Sequence, residues 1–345
     1  MRRSDRALIE KLRNHERSLE SHLKKASEFL VKCQIIEPYV EKGMLHGCVC
    51  PWEIGESADD GMFPILEDYH DTLESIWVWS LYSKLGRGLS FKPNIDWAWT
   101  YIIRNWKRFI GKENRKDKSL YDCSYVLFSG IMFGTVFDDS RYEGQLMQAG
   151  NRLAEYLGTP GSIEGREYFD PFWMVHCLEL AAKKLKQERW RKVAETFVEN
   201  TLVHVKNPFS SVAEEPVHEG PGGHDFFSKN ANMALALMSC FGHKRTAGEI
   251  LSTKFLPCVP AKFVLRHVDE NAWNAHLAAA LGKAYVLTGN EEFLRRFFVI
   301  MNELASRDAG KSAALSRSSS FSRRESWVTF FYAHAYASVM KGPTD

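Results

Sequence analysis

The sequence predicts an all-α protein, a single (α/α)6 toroid of six inner and six outer helices in which the N-terminal helix closes the ring. One observation is a recurring local pattern, an acid with an aromatic or histidine neighbour at the start of an apolar helical run. It is found at Asp68-Tyr69-His70-Asp71, Tyr121-Asp122-Cys123, Tyr168-Phe169-Asp170, His224-Asp225-Phe226, Asp269-Glu270-Asn271-Ala272-Trp273 and Glu325-Ser326-Trp327. From Asp71 the steps to Asp122, Asp170, Asp225, Glu270 and Glu325 are 51, 48, 55, 45 and 55 residues, the period that repeated helix pairs produce. A second observation is that helices apolar all round alternate with amphipathic ones, the signature of inner and outer positions. The third is the count: the chain ends soon after the sixth inner helix, so the helix at the N-terminus supplies the missing outer partner.

Taken in order, residues 5–42 read as the N-terminal outer helix, with Leu8, Ile9, Leu12, Leu19, Leu23, Ala26, Phe29 and Leu30 at helical spacing. Residues 43–64 form a long Gly- and Pro-containing loop carrying His46, Cys48, Cys50, Trp52 and Glu53, a length that compact domains reserve for functional segments. Inner helices are expected over 69–85, 121–136, 171–185, 228–241, 271–288 and 326–340, and amphipathic partners over 94–110, 141–157, 187–205, 244–254 and 290–307. Phe255 to Val268 is the best candidate for extended structure, with Pro257 and Pro260 as punctuation. Residues 308–324 are rich in Ser and Arg and read as a flexible loop. The 345 residues therefore form one domain.

Composition narrows the function classes. A net charge of +2 gives no electrostatic reason to expect nucleic acid as a partner. No run of about 18 apolar residues is evident to span a bilayer, and the charged start Met1-Arg2-Arg3-Ser4-Asp5-Arg6 does not resemble a signal peptide. Seven cysteines, most of them inside apolar helical stretches, read as buried thiols in a reducing compartment, and a cytoplasmic location is expected. Nothing in the sequence fixes the oligomeric state.

The pattern resembles the (α/α)6 barrels of glycoside hydrolases and polysaccharide lyases, and those of terpenoid cyclases and protein prenyltransferases. Tyr69-His70-Asp71 and Tyr121-Asp122 are similar to segments of the unsaturated glucuronyl and rhamnogalacturonyl hydrolases, which carry acids at the mouths of neighbouring inner helices. The resemblance implies a glycosidase-like enzyme acting on a saccharide, with no cofactor.

In such a ring the N-termini of the inner helices meet at one end, so their acids surround a single mouth. Glycoside hydrolysis uses two carboxyl groups, one as acid and one as base or nucleophile. Asp71 and Asp122 are the leading catalytic pair; His70, Asp170, Trp173, His224, Asp225, Glu270, Trp273, Glu325 and Trp327 are candidate binding residues. Acids also favour the first turn of any helix because of the dipole and the free amides, and Ser119/Asp122 and Ser322/Glu325 have the spacing of capping boxes. For each acid the two readings stand side by side. The Gly-rich stretch 214–230, with His218, Glu219, His224 and Asp225, reads as a functional loop over the same mouth. His46-x-Cys48-x-Cys50 is half of a metal pattern without a second half, so no metal is assigned. Two other readings stay open. A terpenoid or prenyl-diphosphate enzyme would need a dry aromatic cavity, and a non-catalytic toroid that binds a partner would have its ring plugged by its own side chains. Aromatic inner helices serve either cations or sugar rings. Asp138-Asp139 lies at the far end of its helix and does not complete a cyclase acid motif.

Overall fold

The computed structural model describes residues 3–36, 45–53, 69–86, 91–110, 116–159, 171–206, 208–209, 226–265, 269–308, 311–320 and 323–340. The inner helices are α2 (Tyr69–Gly86), α5 (Lys116–Phe137), α7 (Pro171–Leu185), α9 (Phe226–Phe241), α12 (Glu270–Thr288) and α14 (Ser326–Ala337). The outer layer is α1 (Arg3–Cys33), α3 (Lys92–Arg104) with α4 (Trp106–Ile110), α6 (Glu143–Gly158), α8 (Glu188–Val198), α10 (Arg245–Ile250) with the short α11 (Leu256–Cys258), and α13 (Glu291–Arg307). Neighbouring inner helices touch all the way round, from α2 through α5, α7, α9, α12 and α14 back to α2. This is the (α/α)6 toroid.

The two layers follow from side-chain chemistry. In α2 the residues Trp77, Val78 and Trp79 are consecutive, hence on different faces, and each is at most 1% exposed. Only a helix covered on every side buries such a run. In α1 the buried Leu19, Leu23, Ala26 and Leu30 share one face, while Arg13, Glu16, Arg17, Glu20 and Lys24 are exposed. That face packs on α14 and α2, so the first helix closes the ring as the helix count requires. His15 Nε2 pairs with the Tyr336 carbonyl at 2.8 Å across this seam.

Local chemistry sets the helix ends. Gly289, in the left-handed region at φ 68°, ends α12, and Asn290 caps α13 by accepting the Glu292 amide. Residues 45–53 form a strap from the end of α1 to the start of α14. The Gly47 carbonyl accepts Gln34 Nε2, the Val49 amide donates to Thr72 Oγ1, and the Ser326 amide donates to the Pro51 carbonyl. Gly47 has φ 92°, and a Cβ there would lie 2.0 Å from the Trp97 carbonyl oxygen, so only glycine lets the strap lie against α3.

Three expectations are corrected. The segment expected to be extended begins helically instead: a π-helical turn over Leu251–Phe255 runs directly into α11, and the helical run stops one residue after Pro257, with Val259 in extended conformation. The stretch Ser119–Phe137 is by length and hydropathy long enough to cross a membrane, contrary to the sequence reading, yet 67% of it is buried as the inner helix α5. Helix α5 also starts five residues earlier than expected, at Lys116, so Ser119 does not cap it; its hydroxyl donates to the Phe109 carbonyl.

Candidate functional site

The acids that the sequence assigns to the inner-helix N-termini fall into two groups. Glu270 and Glu325 are anchors. Glu270 accepts from Arg307 and from the amide and hydroxyl of Ser319. Glu325 accepts from Arg317 Nε at 2.8 Å and from the Trp327 indole. Burial nevertheless pushes the Glu325 carboxyl above its ordinary range, with Arg317 opposing the shift. These contacts tie residues 311–320 onto the mouth, and Arg324 reaches Glu53 at 3.4 Å while Arg323 lies over the Trp52 ring.

Asp71 and Asp122 form the other group. Asp71, the third residue of α2, is 1% exposed, and its Oδ1 accepts the Ser326 hydroxyl at 2.5 Å. The half-buried His70 places Nε2 3.8 Å from Asp71 Oδ2, and its ring lies 5.8 Å from Tyr121 and 6.0 Å from Tyr125 on α5. His70 thus bridges the two helices that carry the pair. Asp122 is fully buried, the seventh residue of α5 and so about two turns inside it.

Sequence reasoning missed Glu74. It lies one turn below Asp71 and is 1% exposed. After burial itself, its charge is the largest influence raising the Tyr121 phenol above the ordinary range, and it raises Tyr125 as well. Tyr121 and Tyr125 share a hydroxyl contact of 3.0 Å. Asp71, Glu74, Asp122, His70 and the two tyrosines therefore occupy one neighbourhood between α2 and α5. The signal available in the sequence was an acid on an inner helix past its first turn.

The aromatic candidates separate as well. Trp273 and Trp327 are half-buried, with rings 6.1 Å apart, and stand at the mouth beside Glu270 and Glu325. Trp173 is 2% exposed and packs on Phe128, His176 and His276 along the ring axis. With Trp77, Phe330 and His334 these side chains fill the middle of the ring. Asp170, His224 and Asp225, along with His218 and Glu219, lie outside the described residues. Cys48 and Cys50 hydrogen bond to each other, whereas His46 meets the edge of Trp97 at 5.7 Å. Among the described residues no group of three or more His, Cys, Asp or Glu side chains is placed to hold a metal ion.

No family model matches the chain, and neither does any curated protein. Two solved structures are similar to it. One is the alpha-1,6-mannanase GH76A from Salegentibacter sp. HEL1_6, with a TM-score of 0.62 at 10% identity, covering 93% of this chain and 98% of that chain. The other is an inactive variant of the same mannanase, with two neighbouring aspartates changed to asparagine, in complex with alpha-1,6-mannotriose; the scores are the same. In the present chain the residues flanking Asp71 and Asp122 are not acidic, and neighbouring aspartates stand at Asp59-Asp60, outside the described residues, and at Asp138-Asp139, just past the C-terminal end of α5. Over nearly its whole length the chain shares the (α/α)6-toroid fold of a glycoside hydrolase.

Proposed function

We propose that the protein is a glycoside hydrolase-like enzyme that works at the N-terminal mouth of the toroid, with Asp71 and Asp122 as its carboxyl pair. One observation carries this reading: two buried carboxyl groups, Asp71 in the first turn of α2 and Asp122 about two turns into α5, lie on adjacent inner helices that His70 links through Tyr121 and Tyr125, in a fold shared with a mannanase. A bond cleaved between them would be flanked by carboxyls from two helices, as glycoside hydrolysis requires. Asp71 accepts the Ser326 hydroxyl, an arrangement that suits a base or nucleophile; Asp122, deeper in its helix, is then the acid. Trp273 and Trp327 offer aromatic faces for a sugar ring, with Glu270, Glu325 and Trp173 supporting the wall and floor. His224, Asp225 and Asp170 belong to the same reading as candidate binding residues that precede α9 and α7 in the sequence. The buried thiols fit a cytoplasmic setting.

The test is hydrolysis of a panel of oligosaccharides that begins with alpha-1,6-mannotriose. Asp71→Asn and Asp122→Asn should each lower the rate by about 10²- to 10⁴-fold, the usual size of a general acid–base contribution. Activity that survives both substitutions but is lost in the Asp59→Asn, Asp60→Asn double variant would move the chemistry to that pair. A second reading, a toroid that binds a saccharide or partner without cleaving it, is favoured by the side chains that fill the ring axis. Tight binding of an oligosaccharide with no turnover would support it.

A further inference from the structure

The opposite end of the ring holds an open cavity of about 650 Å³. Its wall is built mainly by the C-terminal halves of α2, α5, α7, α9 and α12, so it is separate from the carboxyl-bearing mouth. Trp77, Phe128, Leu180 and Met238 make its lining largely apolar. Lys84, Lys183, Lys184 and Lys283 come to its wall from three different helices, joined by His243 from the turn after α9. No carboxylate is among the lining residues.

A lysine in the last turn is ordinary helix chemistry, because it complements the dipole. Lys183 does some of that work, donating to the Ser239 carbonyl and lying 3.3 Å from Glu179 Oε1. Helix complementation, however, calls for each lysine at its own terminus, not for four of them around one concave apolar chamber. Burial pushes the Glu179 carboxyl up to about 7, so near neutral pH it only partly offsets the lysine charge. The volume lies within the roughly 300–1,000 Å³ range of small-molecule sites. Apolar walls with a few convergent polar groups are the usual composition of such a site.

We propose that this C-terminal cavity is a second ligand site, one that takes a small amphiphilic anion: a phosphate or carboxylate head held by the lysines, and an apolar body laid against Trp77, Phe128 and Met238. The proposal stands apart from the sugar chemistry at the other end, and neither depends on the other.

The experiment is isothermal titration of the full chain with octyl phosphate, octanoate and octanol, which share one apolar body and differ in head group. Octyl phosphate or octanoate should bind one to one and at least about tenfold more tightly than octanol, as expected when a charge-assisted hydrogen bond is made in a partly desolvated site. The tighter of the two anions identifies the head group. The Lys84→Met, Lys283→Met double variant should remove about tenfold or more of the anion affinity and leave octanol binding unchanged. Thr135→Trp, a substitution at an exposed position on the cavity wall, should weaken all three by filling the space. Absence of binding by both anions, anion affinities within about threefold of octanol, or anion binding indifferent to the lysine and Thr135 variants would each overturn the proposal. The head-group comparison on the unaltered protein decides the matter even if a variant fails to fold.

Discussion

Acidification from pH 7.5 to 5.5 should destabilise this protein severely, because its buried histidines are held neutral. Burial lowers His15 to about 4 and His22, His176 and His276 to about 3, and holds His334 well below its ordinary value. The sign follows from proton binding. In the unfolded chain each imidazole titrates near 6.5, so below that pH the unfolded state takes up protons that the native state refuses, and stability falls as pH falls. At pH 5.5 an unfolded-state pKa of about 6.5 makes each such histidine worth ~1.4 kcal/mol against folding, and five give about 7 kcal/mol. Glu179 acts in the other direction. Its raised carboxyl, near 7 when folded, holds a proton that the unfolded chain has lost, returning about 2 kcal/mol over the same interval. The net loss of about 5 kcal/mol is comparable with the whole stability of an ordinary domain. With about 2.1 cal/mol/K per residue over 345 residues, Tm should drop by roughly 7 °C. Thermal unfolding followed by circular dichroism at pH 7.5, 6.5 and 5.5 tests this. His334→Phe supplies the internal control. The ring it replaces is stacked on Phe330 at 5.8 Å, and its Nδ1 has no hydrogen-bond partner, so phenylalanine keeps the shape and removes one titration. The gap between the two pH extremes should then narrow by about 1.4 kcal/mol. A Tm at pH 5.5 equal to or above that at pH 7.5 would refute the reasoning.

Other substitutions probe the packing and the mouth. Gly150→Ala places a Cβ 2.3 Å from the buried Trp190 ring, so α6 and α8 must separate, and chemical denaturation should register a loss of about 1–3 kcal/mol. Glu325→Ala removes the acceptor of both Arg317 and Trp327; a cost of about 2 kcal/mol is expected, with faster amide exchange across residues 311–320 while the far side of the ring is unchanged. Trp273→Ala should raise KM for an oligosaccharide by roughly fivefold with little change in kcat, the signature of a stacking face lost without damage to the chemistry. An effect confined to kcat would place Trp273 elsewhere in the mechanism.

The architecture was legible because each layer writes itself in hydrophobic periodicity. Helices α2, α12 and α14 are apolar on all faces, and α1, α8 and α13 on one, so the alternation survives without knowledge of any contact. The site was legible only in part. First-turn acids mark the mouth, but an acid that anchors a loop and an acid left for chemistry look alike in sequence. Glu270 is engaged by Arg307 and Ser319, which are 37 and 49 residues away, and only the fold brings them together. Glu74 escaped notice because it sits inside an apolar run where a single acid reads as an exception. The cavity at the other end did leave a trace, lysines in the closing turns of α2 and α7 and Lys283 in the C-terminal half of α12, yet those in the closing turns are also what a helix terminus favours for its own sake. Convergence is a property of space, and the spacing between those lysines carries no hint of it.

The seam between α1 and α14 has a consequence for how the chain reaches its fold. His15 and Tyr336, which meet there, are 321 residues apart. At synthesis rates of about 5–20 residues per second, the apolar stripe of α1 emerges about 16 to 64 s before its partner helix exists. During that interval Leu19, Leu23 and Leu30 have only α2 to cover them. Ring closure is therefore the last event of assembly, and its cost is the ordering of a very long intervening segment. A nascent chain stalled before residue 326 would display an amphipathic helix with nothing opposite half of its apolar face, a surface that chaperones bind and that other unfinished copies could pair with.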